Sequence, residues 1–127
     1  MSDVVLDASA LLALINAEKG AQLVQDLLPQ SVISAVNLAE VVTRLSAVGM
    51  PENAIRESLI LLGLETIPFD EEQAFEAGLL YAQTAPLGLS LGDRACLALA
   101  KRTSVAAITA DRAWDNLDLE VEIKLIR

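Results

Sequence analysis

Five short apolar segments, each separated from the next by helix-patterned sequence, limit what this chain can fold into. Residues 4–7, 31–34, 65–69, 105–109 and 121–126 read as strands. Helical periodicity fills the intervals at 8–17, 21–28, 37–48, 51–62, 70–84 and 90–102, and a helical turn is expected at 112–116. Residues 85–88, around Pro86, read as a loop. Strands that alternate with helices build a mostly parallel sheet covered on both faces, so the expected class is α/β. The 127 residues are expected to form a single domain spanning 1–127. The run Leu59-Ile60-Leu61-Leu62 carries more apolar surface than one helix face can bury; core packing is expected to take most of it, with a partner surface open for the remainder.

Composition restricts the chemistry. The chain has no histidine, so neither an imidazole base nor a histidine-ligated zinc site is available. A formal net charge of −9 disfavours a surface that grips phosphates broadly. If nucleic acid is the substrate, binding must be local, through a few arginines and a cation that reverses the sign of the field. The single cysteine, Cys96, excludes an internal disulfide and sits among apolar neighbours as a small core residue. No apolar run approaches the ~18 residues of a membrane span. Asp3 and Asp7 interrupt the N-terminal apolar run, which argues against a signal peptide and for a cytoplasmic protein.

Four acids stand out, and each has a plain alternative. Asp7 ends the first strand, where open parallel sheets bind ligands, but an aspartate there also caps a helix. Glu40 lies opposite the apolar stripe Leu38, Val41, Val42 and Leu45; the alternative is a solvated glutamate paired with Arg44 one turn on. Asp93 follows Ser90 by three residues, close to a capping box, yet it shares a helix side with Cys96, Leu97 and Ala100. A carboxylate there must be compensated by helix amides or by a cation. Asp111 follows the fourth strand and could equally cap the turn carrying Trp114. Asp115 could reach the same place, or be an exposed turn acid.

The segments Val4-Val5-Leu6-Asp7-Ala8-Ser9, Ser34-Ala35-Val36-Asn37-Leu38-Ala39-Glu40, the block from Leu89 through Asp93 to Ala100, and Thr109-Ala110-Asp111-Arg112-Ala113-Trp114 resemble the acidic motifs of PIN-domain ribonucleases. More narrowly, they are similar to VapC-type toxins of bacterial toxin–antitoxin pairs. The resemblance implies a Rossmann-like α/β/α sandwich with Asp7, Glu40, Asp93 and Asp111 around Mg2+ or Mn2+. It implies endoribonuclease activity on RNA, a VapB-type antitoxin as partner, and a homodimer. It also gives Ser9 an assisting role at the site. The supporting set expected beside the acids is Ser9, Thr109, Asp115 and two arginines next to motif aspartates, Arg94 and Arg112, as phosphate contacts. Asp7 and Asp93 are the expected principal ligands, with Glu40 and Asp111 acting through waters or on a second ion.

Two other classes compete. A phosphoreceiver domain would show paired acids after strand one, a mid-chain phosphoacceptor aspartate and a late lysine; here Asp7 stands alone, the middle reads Gly49-Met50-Pro51-Glu52, and Thr109-Ala110-Asp111 holds no lysine. A PIN-like nuclease or a catalytically silent PIN-like binding module, outside any toxin–antitoxin pair, would share the fold.

Overall fold

A computed structural model describes residues 4–127; Asp3, read as an interruption of the N-terminal apolar run, lies outside the described residues. The chain runs β1 (Val4–Leu6), α1 (Ala8–Ile15), α2 (Ala21–Leu27), β2 (Ser31–Ser34), α3 (Ala35–Ala47), α4 (Glu52–Leu62), β3 (Glu65–Ile67), α5 (Glu71–Leu79), α6 (Tyr81–Thr84), α7 (Leu91–Thr103), β4 (Ala106–Thr109) and β5 (Ile123–Leu125), with single 3-10 turns at 28–30, 85–87 and 112–116. The strands form one sheet in the order β3-β2-β1-β4-β5, and all four pairings are parallel. This is the expected α/β/α architecture.

Period-two alternation assigns the layers. Val5 pairs with Val32 on one side and with Ala107 on the other, and all three face the core built by α7, α5 and Trp114. Val4, Leu6, Ala106 and Ile108 face the opposite way, onto α1 and α2. Ile33 joins Leu11, Val41, Leu45 and Ile55 beneath α1, α3 and α4. The three central strands are buried throughout, whereas the edge strands β3 and β5 are partly exposed. That is why β1 and the stretches Val32-Ile33 and Ala106–Ile108 of β2 and β4 carry apolar residues at successive positions rather than alternating ones.

Several boundaries differ from the sequence reading. β2 passes into α3 without a loop, because the Ser34 hydroxyl accepts the Val36 amide and caps the helix two residues before the expected Asn37. The helix expected over 70–84 is broken at Leu80 into α5 and α6. The loop at 85–88 contains a 3-10 turn that ends on Gly88 in the left-handed region. Pro51 precedes α4 rather than sitting in its first turn. Leu59 and Leu62 pack against the core, whereas Ile60 (76% exposed) and Leu61 (80%) are left outside it, so packing accounts for only half of that run. Among the described residues no helix is long and apolar enough to cross a membrane.

The topology fixes where a site can form. From β1 the chain winds outward through β2 to β3, then returns past β1 to β4 and β5. The reversal falls between β1 and β4, and side chains just beyond the carboxyl ends of those two strands share a crevice. Those side chains are Asp7 and the segment from Thr109 to Asp111.

Candidate active site

Asp7 is only 4% exposed. Its amide donates to the Ile108 carbonyl at 3.0 Å, which ties the turn to the neighbouring strand. Its carboxylate caps α1, accepting from the Ala10 amide at 2.8 Å and the Ser9 hydroxyl at 2.7 Å on Oδ1. Oδ2 accepts from the Thr109 hydroxyl. None of these partners carries charge. Burial pushes the Asp7 carboxyl up to about 6; bonds from Thr109, Ala10 and Ser9 oppose the rise, and the nearby negative charge of Asp93 adds to it.

Across the crevice, Asp111 caps the 3-10 turn by accepting the Ala113 amide at 3.0 Å, while its own amide donates to Thr109 Oγ1 at 3.0 Å. The Ala110 amide donates to the Ser9 hydroxyl at 2.9 Å. Ser9 and Thr109 therefore lace the ends of β1 and β4 together around Asp7.

Glu40 and Asp93 arrive on α3 and α7. Glu40 is not paired with Arg44, which forms no ion pair with it among the described residues. Instead the Asn37 amide donates to Glu40 Oε1 at 3.0 Å. Burial raises the Glu40 carboxyl above its ordinary range, Asn37 opposes this, and Asp93 adds to it. Asp93 forms a complete capping box: Oδ2 accepts the Ser90 amide at 2.9 Å, and the Asp93 amide donates to Ser90 Oγ at 3.2 Å. Beneath the acids lies fully buried Cys96, whose thiol is pushed well up by burial first and then by Asp7, Asp93 and Glu40.

Asp7, Glu40, Asp93 and Asp111 all line one cavity of about 780 Å³, together with Ser9. The capping roles and the cavity-lining roles coexist in the same side chains. Each acid is anchored by amide or hydroxyl donors, and among the described residues no three of them form a ready-made metal cage.

The cations are not the expected ones. Arg94 donates to the Ala77 carbonyl at 3.1 Å and stacks over Tyr81, 5.5 Å from the ring centroid, away from the cavity. Arg112 donates to the Arg127 carbonyl at 2.8 Å and is not among the lining residues. Asp115 is exposed on the 3-10 turn and does not line the cavity either. Arg44 and Arg127 do line it. Arg127 is held by Glu18 at 3.1 Å and by the Lys19 carbonyl at 3.0 Å. Sequence reasoning missed Arg127, for which no local signal exists, and Gly92, whose signal was a glycine inside the first turn of α7.

The PIN domain family model matches residues 4–120. The chain belongs to the PIN-domain family. Solved structures similar to this PIN domain include VapBC2 from Rickettsia felis bound to a DNA fragment from its promoter, with 18% identity, TM-score 0.74, and coverage of 96% of this chain and 97% of that one. VapBC-5 from Mycobacterium tuberculosis is 25% identical over 98% of both chains with a TM-score of 0.61. VapC20 from Mycobacterium tuberculosis, a sarcin-ricin loop cleaving toxin, is 16% identical with a TM-score of 0.71 over 94% of this chain and 98% of that one. No curated protein is significantly similar in sequence.

The donor set of this PIN domain fits a hard divalent cation. Every candidate ligand is a carboxylate oxygen, and neither imidazole nor an accessible thiolate competes. Asp7 also carries a specific demand: a carboxyl with its proton held up to about 6, and no basic partner, gains most from a nearby positive charge.

Proposed function

We propose that this PIN domain is a Mg2+- or Mn2+-dependent endoribonuclease and the toxin of a VapBC-type toxin–antitoxin pair. The observation that carries the reading is buried Asp7, held rigidly at the strand switch point and facing a cavity that Glu40, Asp93 and Asp111 also line. These four acids would hold the cation. When bound, a divalent cation polarises a phosphoryl oxygen and makes water nucleophilic near neutral pH. The chain's own contribution is orientation. Ser9 and Thr109 fix both oxygens of Asp7, and the Asn37 amide fixes Glu40. Arg44 and Arg127 offer positive charge at the mouth of an otherwise acidic chain, where an RNA phosphate would enter.

The toxin role is supported by the VapBC complexes to which the fold is similar. An apolar groove between α3 and α4, lined by Leu38, Val42, Met50, Ile55 and Leu59, suits an apolar segment of a VapB-type antitoxin. Phe75 and Leu79, exposed four residues apart on α5, suit the homodimer. The alternative, a silent PIN-like module, draws on the capping bonds that already occupy the acids. Incubating purified protein with RNA decides between them. The nuclease reading predicts Mg2+- or Mn2+-dependent cleavage that chelator and Asp7→Asn abolish. Intact RNA under all metal conditions would favour the silent module.

A further inference from the structure

We propose that Asn37 and Gly92 form a positioning unit that sets the Glu40 carboxylate against Asp93; this deepens, and rests on, the metal-nuclease reading. Asn37 is 1% exposed in the first turn of α3. Its side-chain amide donates twice, to Glu40 Oε1 at 3.0 Å and to the Gly92 carbonyl of α7 at 2.9 Å, spanning 55 residues of sequence. One amide group thus links a candidate ligand on one helix to the residue directly before a candidate ligand on another.

Two further observations point the same way. The Asn37 carbonyl oxygen is buried without a hydrogen-bond partner. Leaving such an atom unpaired is unfavourable, and a helix cap or core filler would not require it. The amide cannot turn over to satisfy it, because the oxygen would then face the Glu40 carboxylate and the Gly92 carbonyl, two acceptors. The orientation is dictated by the bonds to Glu40 and Gly92. Gly92, in turn, is buried in α7, where glycine weakens a helix. A Cβ at this position would overlap the Glu40 carboxyl group, with both oxygens and the carboxyl carbon inside any permitted contact. The missing side chain is the space that Glu40 occupies. Asn37 pulls the carboxylate to α7, and Gly92 gives it room to lie there.

Neither residue touches the reacting atoms in this account. Both act through Glu40, and a double-mutant cycle read by Mn2+ binding tests that. Free Mn2+ is followed by electron paramagnetic resonance at low temperature, with near-ultraviolet circular dichroism reporting the folded state. Asn37→Ala and Gly92→Ala should each weaken Mn2+ binding about tenfold to a hundredfold, the range for losing a partner that orients a ligand. In a Glu40→Ala background the same two substitutions should change Mn2+ binding less than twofold. If Asn37→Ala does not fold, Gly92→Ala carries the test, since it leaves Asn37 in place. Wild-type affinity in folded Asn37→Ala or Gly92→Ala would overturn the inference, as would an undiminished loss in the Glu40→Ala background. Wild-type protein that binds no Mn2+ would instead overturn the metal-nuclease reading on which the inference rests.

Discussion

Thr109 donates its hydroxyl to Asp7 Oδ2 across 102 residues of sequence, so the last residue of β4 holds the acid that follows β1. The same oxygen of Thr109 accepts the Asp111 amide at 3.0 Å. One hydroxyl thereby sets the spacing of two cavity acids. Thr109→Val keeps the shape and the β-branch while removing both bonds. It should cost about 1–3 kcal/mol in urea denaturation, because a buried carboxylate oxygen and an amide lose their partner. RNA cleavage should fall further than the stability loss explains. Unchanged stability would show that the bond contributes little.

Stability should depend on pH through Asp7. The folded chain holds the Asp7 proton up to about pH 6, whereas an unperturbed aspartate releases it near 3.8. Between those values the folded state binds more protons than the unfolded state, so stability falls as pH rises and levels off above the window. A shift of that size corresponds to about 2–3 kcal/mol. Glu40, also raised by burial, slopes in the same direction. Asp7→Asn should therefore gain stability over the wild type between pH 4 and pH 7 in chelator, as followed by urea titration. Saturating Mg2+ should shrink the gain at pH 7. Wild-type and variant curves that run parallel from pH 4 to pH 7 would contradict the burial argument.

Ser90 is half of the capping box at the start of α7, and the other half is Asp93. Ser90→Ala should destabilise the fold by about 1 kcal/mol, the usual cost of a lost N-cap. Thermal denaturation checks this. A larger loss would mean that α7, which packs on the central strands, depends on the box for more than its first turn.

The arginines should separate cleanly. Arg44→Ala, at the cavity, should raise KM for RNA with little change in thermal stability; Arg127→Ala should raise KM and also lower stability somewhat, because it releases Glu18 and the Lys19 carbonyl. Each should also flatten the salt dependence of RNA binding by a slope of roughly 0.7. Arg94→Ala should show the reverse, a loss of stability with KM unchanged, because Arg94 is spent on the Ala77 carbonyl and the Tyr81 ring. Equal KM effects from all three would put Arg94 back at the site.

Much of this was legible in the sequence, and the failures have physical causes. The strand–helix rhythm gave the parallel sheet because the central strands are buried on both faces. The 3-10 turn at 112–116 and β2 fell where turn and strand chemistry put them. Adjacency to a motif aspartate misled the reading of Arg94 and Arg112: neighbours on an α-helix point about 100° apart, which turns Arg94 away from Asp93, and Arg112 begins a 3-10 turn that Asp111 only caps, its guanidinium taken by the Arg127 carbonyl. Asn37 reaches Glu40 from the preceding turn, and this spacing, i to i+3, was open to inspection; that it would defeat Arg44 depended on burial, which no local pattern reveals. The close approach of Glu40 to Gly92 depends on how α3 crosses α7, a tertiary fact that left only an otherwise unexplained helical glycine in the sequence.

The central claim is that a divalent cation sits among Asp7, Glu40, Asp93 and Asp111. Calorimetric titration of the purified protein with Mn2+ tests it most directly, with Asp7→Asn, Asp93→Asn and the outlying Asp115→Asn as comparisons. The account predicts that the wild type and Asp115→Asn bind alike, while Asp7→Asn and Asp93→Asn lose at least tenfold in affinity. Equal Mn2+ binding by Asp7→Asn, or a loss confined to Asp115→Asn, would contradict it.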